Sequence, residues 1–131
     1  LKQINLENIK TKYYLLQSEI NRTETFLENY PNFKLFIKSL NTNTPIIVFG
    51  SFAKFKADKN SDVDLLIILD KKINLPLHLL SSKIHRINLS EKSLLKAVEK
   101  QEPLIKEIEE NHIILNNHSF YISLMWNCYG K

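Results

Sequence analysis

Apolar residues recur in alternating steps of four and three from Ile9 through Tyr13, Leu16, Ile20 and Leu27 to Tyr30, with Thr23 alone breaking the rhythm. That spacing puts them on one face of a helix. Lys10, Lys12, Glu19, Arg22 and Glu28 fall between them and make a solvated opposite face. Pro31 lacks the N–H that would continue the ladder, so it ends this helix and can open the next at its first turn. Phe33, Phe36, Ile37 and Leu40 form a second, shorter stripe. Core packing is the simplest role for both.

The pattern changes after Asn41. Pro45 to Phe49 is a β-branched apolar run stopped by Gly50, which reads as a buried strand. Residues 51–59 are polar and basic, with room for one or two helical turns. Residues 63–69 read as a second apolar strand, 75–80 as a short helix or loop, and 83–89 as a third strand. Ser90 is placed to cap a helix carrying Leu94, Leu95 and Val98. A further helix is predicted around Pro103–Glu110, a short strand at 113–115, and a packed element of open type at 119–126. Helices, then a small sheet, then helices make an α+β fold, a small mixed sheet flanked by helices. Residues 1–41 are expected as an N-terminal helical segment and 42–131 as the domain proper.

Composition narrows the class only a little. A chain of 131 residues, 44% of them hydrophobic, suffices for one core and is short for two domains. The net charge of +4 favours a polyanionic ligand such as a nucleotide without requiring one. Cys128 is the only cysteine, so neither an intrachain disulfide nor a cysteine-based zinc site forms, which fits a reducing cytoplasm. No apolar run approaches the ~20 residues of a membrane helix, and there is no secretory signal. The chain begins at Leu1 rather than methionine, so further sequence upstream is expected.

Candidate chemistry gathers between Phe49 and Ile67. Gly50 ends a strand, and Ser51 follows where a short helix would start, so backbone N–H groups and the Ser51 hydroxyl form a seat for phosphate oxygens. A missing side chain at Gly50 lets a triphosphate approach the backbone. Asp62 and Asp64 are two apart on the next strand, and i and i+2 side chains share a face with Cα atoms roughly 7 Å apart. Two carboxylates so placed can converge on Mg²⁺, which takes hard oxygen ligands and bridges to phosphates. Lys54, Lys56 and Lys59 add positive charge beside this seat. Taken singly, a Gly-Ser is usually a turn, an Asp-x-Asp a solvated strand start, and loop lysines a wet surface. The ordered combination is what is specific.

That combination resembles the Gly-Ser-x-Ala-x-Gly…Ser-Asp-x-Asp signature of the polymerase β nucleotidyltransferase superfamily, particularly its minimal archaeal and bacterial members. Gly50, Ser51 and Ala53 through Ser61, Asp62 and Asp64 match its spacing without insertion. The resemblance implies a small mixed sheet, Mg²⁺, and a nucleoside triphosphate, ATP in the first place, as substrate. It implies Gly50, Ser51, Lys54 and Ser61 on the nucleotide and Asp62 and Asp64 on the metal. Two departures stand out. Phe55 occupies the position of the signature's second glycine. Catalytic members also supply a third carboxylate from a neighbouring strand, and between Asp70 and Glu91 this chain has no Asp or Glu. His85 or Asn88 could stand in there, though a structural role is the simpler one for each. Residues 1–27, with Asn5, Leu6, Glu7 and Asn8 leading into Lys12, Tyr13, Tyr14 and Leu15, also look like the linker helix of archaeal proteins joining a winged helix-turn-helix to such a domain. DNA is then an expected partner through an upstream module.

Two functions follow. One is an enzyme that moves a nucleoside monophosphate, AMP first among them, from a Mg²⁺-bound triphosphate to an acceptor hydroxyl, which in small members of the family can lie on a partner toxin. The other is a weakly active or inactive nucleotide-binding module that regulates an attached DNA-binding domain. Direct RNA processing is disfavoured, since no aromatic-basic platform is evident and Tyr13 and Tyr14 are expected as half-buried helix residues.

Overall fold

Side-chain alternation along the strand Ile46–Phe49 (β1) sends Ile46 and Val48 to one face of the sheet and Ile47 and Phe49 to the other, and all four are buried. Such a strand must be central and covered on both sides, which accounts for its unbroken apolar run. The computed structural model describes residues 9–129 and bears this out. β1 lies between Val63–Ile68 (β2) and Ile113–Asn116 (β4), antiparallel to both, while Ile84–Leu89 (β3) pairs parallel with β2 at the edge, giving the order β3-β2-β1-β4. Among the described residues five α-helices flank this mixed sheet, the α+β arrangement expected.

The long helix Ile9–Asn29 (α1) and the short Phe33–Lys38 (α2) cover one face. Phe26, Phe33 and Phe36 are fully buried there with Ile46, Val48, Leu65, Ile67 and Ile113. Each large apolar side chain so buried contributes about 1.5–3 kcal/mol. On the other face Glu91–Lys100 (α3), Pro103–Glu110 (α4) and His118–Tyr129 (α5) pack Leu94, Val98, Ile105, Ile108, Ile122 and Leu124 against Ile47, Leu66 and Ile114. Ser90 caps α3 as expected, its hydroxyl accepting the Ser93 N–H at 3.1 Å. The element of open type is α5. No helix among the described residues is long and apolar enough to cross a membrane.

The face of α1 turned to the core differs from the stripe read along the sequence. Ile9, Tyr13 and Tyr14 are well exposed, so the two tyrosines are not half-buried. Thr23, which broke the rhythm, is buried, and its hydroxyl donates to the Ile114 carbonyl at 2.7 Å. Glu19, assigned to the solvated side, faces inward and meets buried His112. The covered face is rotated because α1 rests on β4 and α5 as well as on the sheet core. The expected lead-in at Asn5–Asn8 lies outside the described residues.

Candidate active site

The C-terminal end of β1 and the N-terminal ends of β2 and β3 meet at one edge of the sheet, as antiparallel β1–β2 and parallel β2–β3 pairing require. Asp64, the only acidic residue of β2, stands opposite Phe49 on β1 and His85 on β3. It is held from two sides. Gly50 has φ +74°, and a Cβ there would lie 2.2 Å from Asp64 Oδ2, so the glycine leaves the space that the carboxylate fills. On the other side His85 Nδ1 is 3.0 Å from Asp64 Oδ1. An ionised carboxylate only accepts, so the imidazole is the donor.

Beyond Gly50 the chain makes a single helix-like turn, the lesser of the one or two expected, and no regular helix. The Lys54 N–H donates to the Gly50 and Ser51 carbonyls, and the Lys56 N–H to Ser51. Among the described residues the N–H groups of Ser51, Phe52 and Ala53 donate to no carbonyl of this turn; Ser51 is half-buried, while Phe52 and Ala53 are buried. Phe55 ends the turn with φ 59°, a conformation glycine adopts freely and L-residues adopt at a cost of roughly 1–2 kcal/mol. Phe55, at the position where the resemblance expects a glycine, thus adopts a backbone conformation that glycine favours. Phe55 stacks on Tyr30 at 6.3 Å and meets Phe26 edge-on at 6.2 Å, contacts that offset the strain.

The other predicted residues sit as follows. Asp62 lies one residue before β2, not on it, and is exposed. The Asp58–Ser61 turn keeps the preceding chain out of the ladder: the Ser61 hydroxyl accepts the Asp58 N–H at 2.9 Å, and Asp58 Oδ1 accepts the Asn60 N–H at 2.8 Å. Pairing begins where the Val63 N–H reaches the Lys83 carbonyl. Ser61 is thus engaged in its own turn. Lys54 is exposed and, with Arg22, Phe55, Glu110, Asn111 and His112, lines an open recess of about 230 Å³. Lys56 and Lys59 are exposed in the loop. Asn88 bonds Arg86 on the opposite face of β3 from His85 and does not approach Asp64. His85, for which as for Asn88 a structural role is the simpler expectation, is the residue whose side chain meets Asp64. Only the β2–β3 register reveals this.

No group of three His, Cys, Asp or Glu among the described residues is poised to enclose a metal ion. Mg²⁺ does not need one. It is commonly held by one or two carboxylates, its remaining positions going to water and substrate phosphates. Asp64 beside an exposed Asp62, with the Gly50–Ser51 turn next to them, fits that mode.

The family model for "Polymerase beta, Nucleotidyltransferase" matches residues 32–120, which include β1, the Gly50–Lys56 turn, β2 and β3. The chain belongs to this family of nucleotidyltransferases. Comparison with curated proteins and with solved structures finds no match.

Proposed function

We propose that this domain transfers a nucleoside monophosphate, AMP in the first place, from a Mg²⁺-bound nucleoside triphosphate to an acceptor hydroxyl. The observation that carries this is the clamped Asp64 carboxylate, set between Gly50 and His85 at the end of the strand that follows the phosphate-turn segment. In this reading Asp64 and Asp62 hold the metal, and the Ser51 hydroxyl and the turn's N–H groups receive phosphate oxygens. Lys54 supplies long-range positive charge. A bound Mg²⁺ neutralises charge on the phosphates and aligns an in-line displacement. The acceptor is proposed to lie on a partner protein.

A second reading, a nucleotide-responsive regulatory module joined to a DNA-binding domain, is favoured by one observation: β3 and its flanks bring no carboxylate to the site. Calorimetric titration of ATP with and without Mg²⁺, into wild type and Asp62→Asn/Asp64→Asn, tests the first reading. Metal-dependent binding that vanishes in the double variant, with label from α-³²P-ATP passing to an acceptor, is the expected result. Nucleotide binding without any transfer, together with partner or DNA binding indifferent to Asp62→Asn, selects the second. No binding by folded wild type overturns both.

A further inference from the structure

We propose that His85 is a direct metal ligand of this site, and that its nitrogen makes the site prefer a first-row transition ion to Mg²⁺. This deepens the reading of Asp62 and Asp64 as metal-holding residues and rests on it.

Parallel pairing places Asp64 and His85 side by side on the same face of the sheet. Their Nδ1 and Oδ1 atoms are 3.0 Å apart. Two donors at adjacent corners of an octahedron, each ~2.1 Å from the ion, stand about 3.0 Å apart. An ion can therefore sit between the two atoms once the imidazole turns its Nδ1 lone pair toward it, the ring carrying its single proton on Nε2 instead of Nδ1. Access is open, since the His85 side chain is 64% and the Asp64 side chain 25% exposed. Asp62, exposed and without a hydrogen bond or ion pair among the described residues, is free to turn toward the same ion.

The donor set then decides the metal. Mg²⁺ selects oxygen, whereas imidazole raises affinity along the series from Mn²⁺ to Ni²⁺ and Cu²⁺. Residues 71–90 contain no Asp or Glu, so the nitrogen of His85 is what β3 offers at this position.

The experiment uses the chain with a non-hydrolysable ATP analogue, and Mn²⁺ and Mg²⁺ as probes. Affinities are measured for wild type, His85→Ala, His85→Gln and Asp64→Asn, and pulsed electron paramagnetic resonance of the Mn²⁺-loaded proteins reads directly bound ¹⁴N. Expected are a nitrogen coupling in wild type that disappears in His85→Ala and His85→Gln, and a Mn²⁺-over-Mg²⁺ preference that falls at least roughly tenfold in His85→Ala. His85 is exposed, so its variants should fold, which circular dichroism checks. Mn²⁺ and Mg²⁺ binding that depends on Asp64 but shows no nitrogen coupling overturns the role of His85 and leaves the proposed function standing. Failure of folded wild type to bind either ion with nucleotide overturns both.

Discussion

Among the described residues, two carboxylate–imidazole pairs of nearly equal length lie in very different surroundings. Asp64–His85 spans 3.0 Å at the open sheet edge, and Glu19–His112 spans 2.9 Å between α1 and β4 with both side chains largely buried. The buried pair is largely shielded, although His112 borders the open recess beside Lys54. His112 Nδ1 donates to the Ile108 carbonyl at 2.7 Å, and its ring packs on Tyr121 at 4.6 Å. Glu19 Oε1, in contrast, finds no hydrogen bond, with Arg22 no nearer than 3.9 Å. So little of either side chain is exposed that water replaces a lost partner poorly there, and the pair is coupled to stability. At the sheet edge water can replace it, which leaves Asp64–His85 available for exchange with a ligand. The same chemistry serves architecture in one place and function in the other, and burial makes the difference.

Breaking the buried pair should have the largest effect. Glu19→Ala leaves His112 without its carboxylate and is expected to destabilise the chain by about 3 kcal/mol, read from urea unfolding. Glu19→Leu combined with His112→Leu should recover part of that loss, because both members of the pair go together and only the Ile108 carbonyl loses its side-chain donor. Equal losses in the single and double variants would show that packing, not pairing, dominates this region.

Asp64→Asn sharpens the contrast from the other side. Stability should change by less than about 1 kcal/mol, as for an exposed pair, while Mg²⁺-dependent nucleotide binding or transfer falls on the order of a hundredfold. Gly50→Ala should do some of both. The strained φ costs about 1–2 kcal/mol, and the added methyl displaces the carboxylate, so thermal stability and metal-dependent binding fall together.

A smaller effect is expected from pH. Desolvation holds the His118 pKa below its ordinary value, against the opposing pull of Glu19. His118 therefore stays neutral in the folded chain at a pH where the unfolded chain binds a proton. Stability from this group is complete above the ordinary value of about 6.5 and is lost as pH falls below it toward the folded value. Unfolding curves between pH 7 and 5 should show this slope, reduced in His118→Gln. Smallest of all should be Phe55→Gly, where relief of strain and loss of ring contacts nearly cancel, for a net cost under about 1 kcal/mol. Phe55→Ala keeps the strain and loses the rings, so it should be the less stable of the two; the reverse order would deny that Phe55 is strained.

What the sequence determined by itself is local. The apolar, β-branched runs at 46–49 and 63–68, the Ser90 cap, Pro31 and Pro103 at helix boundaries, and the ordered Gly50, Ser51, Asp62 and Asp64 all concern neighbours along the chain. Their geometry follows from backbone periodicity, so they could be read directly. Tertiary structure decided the rest: Glu19 turned inward while Tyr13 and Tyr14 turned out, Phe55 bent into a glycine conformation against Tyr30, and His85 paired with Asp64. Each of these depends on which strand or helix lies alongside, 21 residues away for His85 and 93 for His112. A periodic pattern shows that a face exists, but what covers it is settled only when distant segments compete to bury the same surface.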